Sequence, residues 1–445
     1  MNAQSHLRLR RLCKNYGFVA IQKPTIRRMK LSVDLLMGAS VKPAADEPSL
    51  PRKLGLPEAL GMSLSIVGPS MAMAFNVSLA VRFAGKAAPL AFGIATIALG
   101  MVAVAFVRFS RRVAHAGSAY AYIGRAFGWR WGFLAGWTLL LTYITYAAGV
   151  TALIGNFLQA AVQNYGVRPG GLWFTSSIAG LLFAGFCAYR DVKMAGRLML
   201  LLETLSVAAI IFLSLAILIK LSATGRLSLA PFLSTRGIHW SGVGYALVYC
   251  VLSFAGFEAA ATLGEETKNP HRNIPMAIVG TCALAGVFYV FVTYAQVVGF
   301  GLDSTRELAS ASAPLNDLAN RYLSRNFATP IDLAAAVSAF SCVLGSLSAA
   351  GRLLFALGRS GLASRIAAIR PRHSTPSIAV IVVGLLCLGG FALAAPFAGP
   401  GNYCGDLLTI GTLALVLVYM AVNAADLAES LEARRLLGSL CGMAG

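Results

Sequence analysis

Ten apolar runs, at roughly 59–82, 87–108, 131–158, 172–189, 198–220, 240–263, 276–300, 330–357, 376–397 and 404–424, decide what this chain can become. A helix rises about 1.5 Å per residue, so about 20 such residues cross the hydrocarbon core of a bilayer. Charge is too scarce to cover a soluble surface: 12% of the 445 residues are charged and 57% are apolar. The runs are long and continuous, whereas a membrane barrel would show short alternating segments. The expected fold is therefore an all-α polytopic membrane protein with about ten transmembrane helices.

A net charge of +20 raises the question of nucleic acid, which would need the basic residues gathered on one soluble face. They are instead divided by side. With the N-terminus inside, 28 of the 37 Lys and Arg fall on the inner face and 9 on the outer. The 108–130 loop, with Arg108, Arg111, Arg112, Arg125 and Arg130, is the clearest inner group. This positive-inside bias sets an N-in orientation in a cell membrane and leaves no nucleic-acid role. The eight cysteines form no CxxC pair and the five histidines have no metal-ligand spacing, so no metal or cofactor is expected.

Residues 1–56 are basic, contain prolines and hold no spanning run, which reads as a disordered cytoplasmic tail. The membrane domain is expected over 57–424, as one repeat over about 57–220 and a second over about 240–424. Residues 425–445 read as an amphipathic cytoplasmic helix too polar to span.

Two runs are interrupted. The first carries "IVGPSMAMAFN", with Gly68 and Pro69 adjacent near mid-span, and the sixth carries "SFAGFEAA", with Gly256 followed by Phe257 and Glu258. Proline removes an amide donor and glycine weakens a helix, so both spans should break there. Exposed backbone within a bilayer is tolerated only where protein buries it or where it lines a polar cavity. The two breaks open the first helix of each group of five, and an odd group size turns the second group upside down. Matched broken helices in two inverted halves are the sequence pointer to a transporter's binding site.

Those residues carry a resemblance. The stretch "FAGFEAAATLGEETKNPHRNIP" (254–275) resembles the sixth helix and following loop of the amino acid–polyamine–organocation permeases. "SRRVAHAGSAYAYIGRAFGWRWGFLAGW" (110–137) resembles their loop before helix three. "GRLLFALGRSG" with "STPSIA" resembles the loop between helices eight and nine. The resemblance spans about residues 57–424. It implies a five-plus-five inverted-repeat, leucine-transporter-like bundle that carries out secondary transport of amino acids, polyamines or related amines. This chain departs from the family's usual glycine-rich break in helix one, and ten helices are read where twelve are common.

The breaks suggest how a zwitterion would be held. Amides at the start of a half-helix, at its positive dipole end, suit a carboxylate. After Gly68 and Pro69 these are Ser70, Met71 and Ala72. Carbonyls freed at the end of the outer half of span six, at Phe254 and Ala255, suit an ammonium, with Gly256 clearing space and Phe257 as a wall. Tyr143, about one and two-thirds turns beyond Trp137, is placed towards substrate by the resemblance; plain packing is its alternative. Tyr146 ranks below it.

Glu258 is the sharpest candidate, because an acid in mid-membrane faces a cavity, a partner or a proton path by default. The resemblance implies gating or protonation for it. Glu203, in "LMLLLETLSV", is the second intramembrane acid, with helix packing as its alternative role. Ser206 aligns with a family position where some relatives carry a lysine, and Ser346 with one where sodium-coupled cousins supply a hydroxyl. The residues leave proton, sodium and exchange coupling open. Glu265, Glu266, Lys268 and Arg272 read as a solvated ion-pair cluster at the inner mouth.

An ion channel would show charge rings or a repeated filter sequence, and the single asymmetric glutamates argue against one. An enzyme would need a convergent nucleophile–base set or metal ligands; His115 is the nearest residue to that and lies inside a transporter-like motif. The chain has no phosphate-binding GxxxxGK[ST] loop of a primary pump.

Overall fold

A computed structural model describes residues 52–167, 170–190, 192–233, 240–359 and 376–442. The tail expected over 1–56 lies outside them except for its last five residues. Helices dominate: α1 (Leu56–Val67), α2 (Pro69–Ala84), α3 (Ala88–Ser110), α4 (Ala119–Phe127), α5 (Trp129–Gln163), α6 (Leu172–Arg190), α7 (Val192–Ala223), α8 (Ala230–Leu233) and α9 (Trp240–Phe254). The series continues with α10 (Pro270–Phe300), α11 (Thr305–Ser310), α12 (Pro314–Tyr322), α13 (Arg325–Leu357), α14 (Ser377–Ala398) and α15 (Pro400–Gly442).

Among the described residues, nine helical stretches are long and apolar enough to cross a membrane. The first, Leu56–Ser110, has 55 residues, far more than one crossing needs at about 1.5 Å per residue. A 3-10 turn at Gly85–Ala87 divides it, with Gly85 at φ 55° and Pro89 in the first turn of α3. Divided there, the stretches among the described residues make ten crossings, the number of apolar runs. The last helix, α15, runs unbroken from Pro400 to Gly442, so the segment expected to be helical after 424 continues it. Residues 443–445 lie outside the described set.

The break in the first span has a local cause. Gly68 adopts the left-handed conformation (φ 50°, ψ 57°), and its amide closes α1 on the Leu64 carbonyl at 2.9 Å. Pro69 then opens α2, where its missing amide costs nothing. The sixth span stops being α-helical after Phe254, turns through Gly256 (φ 104°) and resumes as a short 3-10 helix at Ala259–Leu263.

The two breaks face each other. A Cβ added to Gly256 would lie 2.3 Å from Ile66 Cγ2 and 2.6 Å from Ile66 Cβ. Glycine here lets the two interrupted backbones approach, so the clearance expected for a ligand is in this structure taken up by Ile66. Ser63 ties the same segments: its hydroxyl donates to the Phe257 carbonyl (2.8 Å) and accepts from the Ala260 amide (2.9 Å).

One end of the bundle is basic and densely paired. The Leu54 backbone bridges Glu266 and Lys268, with N–H···O distances of 3.0 and 2.8 Å. Glu58 accepts from the Gly55 amide and from Arg197 (2.7 and 2.9 Å). Asp426 pairs with Arg108, and Glu429 with Arg112 and Arg125, so the extension of α15 is fastened to the basic loop. The expectation of a solvated cluster needs correction for Glu266, which is 3% exposed and paired through both oxygens with Arg352, itself 2% exposed. The reason is that α13 lays Arg352 directly beneath the loop. Glu265 accepts from Arg359 (2.5 Å) and the Ala116 amide (3.0 Å), with His115 at 3.9 Å. Burial pushes the Glu265 carboxyl up, but Arg359, the Ala116 amide and His115 outweigh it and hold it below the usual carboxylate range.

The opposite end is tied by amides. Asn164 and Asn316 both donate to Asp332, and Asn316 also to Asn164, which joins α5, α12 and α13.

Candidate functional site

The α2 N-terminus points its first amides into the protein. Pro69 has none to offer. The Ser70 amide donates to Glu203 Oε1 (3.3 Å), the Met71 amide to the Ser338 hydroxyl (3.1 Å), and that hydroxyl to the same Glu203 oxygen (2.8 Å). The Ala72 amide is bonded to the Gly68 carbonyl at 2.8 Å. The three amides expected to receive a ligand's carboxylate are thus engaged within the chain, two of them through Glu203 and Ser338.

Around the second break, Glu258 is wholly buried and held by two phenols: Tyr143 donates to Oε1 (3.2 Å) and Tyr419 to Oε2 (2.7 Å). Phe257, also buried, packs edge-on against Phe106 (5.9 Å) and tilted against Tyr419 (5.3 Å). The Phe254 carbonyl accepts from the Phe257 amide (3.3 Å), and the Ala255 amide donates to the Leu252 carbonyl (3.3 Å). The Tyr146 hydroxyl lies within hydrogen-bond distance of the Leu252 carbonyl (3.1 Å) and the Thr412 hydroxyl (2.8 Å). Tyr289 donates to the Ser253 carbonyl at 2.6 Å. Phenols therefore take the place of the water that broken backbone would otherwise need.

The structure gathers Gly68, Ser70, Met71 and Glu203 at one break, and Tyr143, Phe257 and Glu258 at the other, with Gly256 against Ile66 between them. Ser206 stands apart: its hydroxyl back-bonds to the Leu202 carbonyl of its own helix (2.9 Å). Ser346 is buried in α13, two turns beyond the Ser338 that binds Glu203. Sequence reasoning missed Tyr419 and Ser338. Tyr419 is a single tyrosine in an apolar run, and Ser338 is one of several serines in α13. Helical spacing counted from Ser346 would have put Ser338 on roughly the same face.

Glu203 and Glu258 are the two acids of this region: both oxygens of Glu258 accept from phenols, whereas Glu203 accepts from the Ser70 amide and the Ser338 hydroxyl through Oε1 alone. Such a pair can accept hydrogen bonds from an ammonium, take up a proton, or exchange partners when helices move.

A family model described as amino acid permease matches residues 61–434. The chain is 27% identical over 349 residues to the branched-chain amino acid permease BcaP of Lactococcus lactis, covering 75% of this chain and 73% of that protein. It is 25% identical over 362 residues to the low-affinity putrescine importer PlaP of Escherichia coli, covering 79% and 77%. Against cationic amino acid transporter 4 of Mus musculus it is 28% identical, covering 69% of this chain and half of that protein. In three dimensions it superposes on MhsT in complex with L-phenylalanine with a TM-score of 0.53 at 15% identity, covering 86% of this chain and 99% of that one. A sodium-coupled sialic acid symporter gives the same TM-score at 14% identity, covering 80% and 78%. These two likenesses concern the fold, a five-plus-five inverted-repeat bundle. With the permease model matching most of its length, the chain belongs to the amino acid permease family, a family of transporters and not of enzymes.

Proposed function

We propose that this protein is a secondary active permease that moves an amino acid or related amine across a cell membrane by alternating access. The observation that carries the reading is the pair of facing breaks, Gly68 in span one and Gly256 in span six, with buried Glu258 held by Tyr143 and Tyr419. Relatives named for branched-chain amino acids, cationic amino acids and putrescine support a substrate bearing an amino group. The basic end faces the cytoplasm, with the N-terminus inside, which the division of Lys and Arg supports.

Glu258 serves the cycle by changing partner or protonation between inward and outward states. Tyr143 comes from α5 and Tyr419 from α15, so relative movement of these helices breaks one contact before the other. The test is transport in proteoliposomes, comparing wild type with Glu258→Gln in counterflow exchange and in uphill uptake. Both assays are run across pH, with and without a sodium gradient. Glu258→Gln should retain exchange and lose pH-dependent accumulation. Uphill uptake with wild-type pH dependence would make Glu258 structural, and a response to sodium alone would replace proton coupling.

A further inference from the structure

The α2 N-terminus already holds a carboxylate, and it belongs to the protein. Glu203 reaches from α7 to the Ser70 amide, and Ser338 connects the same oxygen to the Met71 amide. A half-helix N-terminus accommodates one anion well, because a few amides and one dipole end must satisfy it. A second carboxylate at the same amides would have to displace Glu203 or sit beside a like charge where little water screens the repulsion.

The other oxygen of Glu203 gives the direction. Oε2 is buried and has no hydrogen-bond partner among the described residues. An ionised carboxylate only accepts, so whatever meets Oε2 must donate, and buried charge favours a cationic donor. The remaining acid of the region, Glu258, is also held by neutral hydroxyls and, among the described residues, by no cation. The second break thus adds another acceptor and no positive group for a ligand's carboxylate.

We infer that Glu203 is a specificity residue: it occupies the amide site that a substrate's α-carboxylate would need, so the carrier prefers amines without an α-carboxylate over the corresponding α-amino acids. This rests on the permease reading and narrows its substrate class. The protein itself supplies the anion, and the ligand brings the ammonium. Ser338 positions Glu203 by donating to Oε1 while accepting from Met71.

The experiment uses the full chain in proteoliposomes and matched probes that differ by one carboxylate: cadaverine and lysine, putrescine and ornithine, 3-methylbutylamine and leucine. Counterflow of each labelled compound gives an amine-to-amino-acid ratio of transport efficiency. Wild type should favour the amine at least tenfold in one pair or more. Glu203→Gln removes the built-in charge and should shift that ratio towards the amino acid at least tenfold. Should that variant fail to fold, Ser338→Ala loosens the same anchor and should move the ratio in the same direction by a smaller factor. A general loss of fold would lower both fluxes and leave the ratio alone. Preference for the amino acid in every pair overturns the inference and leaves the permease standing. So does an amine preference that is unchanged in the variants. Transport of none of the six compounds would count against the permease reading as well.

Discussion

Replacing Gly256 by alanine isolates what holds the two broken spans together. The new Cβ would sit 2.3 Å from Ile66 Cγ2 and 2.6 Å from Ile66 Cβ, well inside the roughly 3.5–4.0 Å at which carbon atoms pack best. Overpacking of this kind costs about 1–3 kcal/mol. The backbone adds a second cost: φ is 104°, a conformation that L residues rarely adopt, worth about 1–3 kcal/mol for alanine. Together they amount to about 4 kcal/mol. Gly68→Ala is the internal control. Its φ of 50° and ψ of 57° fall in the left-handed region, at about 1–2 kcal/mol. Its nearest neighbour, at 3.1 Å, is the flexible end of Met71. Taking one to two degrees per kcal/mol for a chain this long, thermal unfolding in detergent should drop by about 6 °C for Gly256→Ala and about 2 °C for Gly68→Ala. Ile66→Ala removes Cγ2 but leaves Cβ, so the double variant should show a favourable coupling of about 1 kcal/mol. If the two glycine variants unfold within a degree of each other, the close contact at Ile66 is not what Gly256 serves.

Two further outcomes follow from the basic end. Arg352→Ala leaves Glu266 buried and unpaired and should cost about 3–5 kcal/mol, whereas Arg352→Met with Glu266→Gln should recover most of it, as read by thermal unfolding; equal losses would refute a buried pair. Glu265 is held below its ordinary range, so its contribution is complete above the unfolded value of about 4.3 and disappears as pH falls through the lower folded value. Stability should therefore stay level from pH 7 to 5 and fall below about pH 4, and Glu265→Gln should lack that share of the acid limb.

Crossings and breaks were legible in the sequence because each rests on a local rule. Apolar length alone counts ten spans, and Gly68–Pro69 has few options other than ending one helix and starting another. Glu258 was legible for a related reason, since an acid in an apolar run has to find a partner. Its partners were not legible: Tyr143 and Tyr419 lie 115 and 161 residues from it in sequence, and helical spacing within one span cannot say which neighbouring span it faces. The role expected for the α2 amides shows the same limit. Sequence identified the donors, but Glu203 lies 133 residues from Ser70 and Ser338 lies 267 from Met71, so only packing reveals what already occupies them. Burial of Glu266 was missed because its partner, Arg352, lies 86 residues away in another apolar run, and no local pattern links the two.

The single hydroxyl of Ser63 has a mechanical meaning. It closes two hydrogen bonds that the sixth span cannot make within itself, at the Phe257 carbonyl and the Ala260 amide. Pulling the first span away alone would strand both backbone groups in a dry interior, at about 1–3 kcal/mol each. Displacing the two spans together leaves both bonds intact. The smallest rigid part of this machine is therefore a coupled pair of half-helices, riveted at one serine, and a load applied to either span is borne by both.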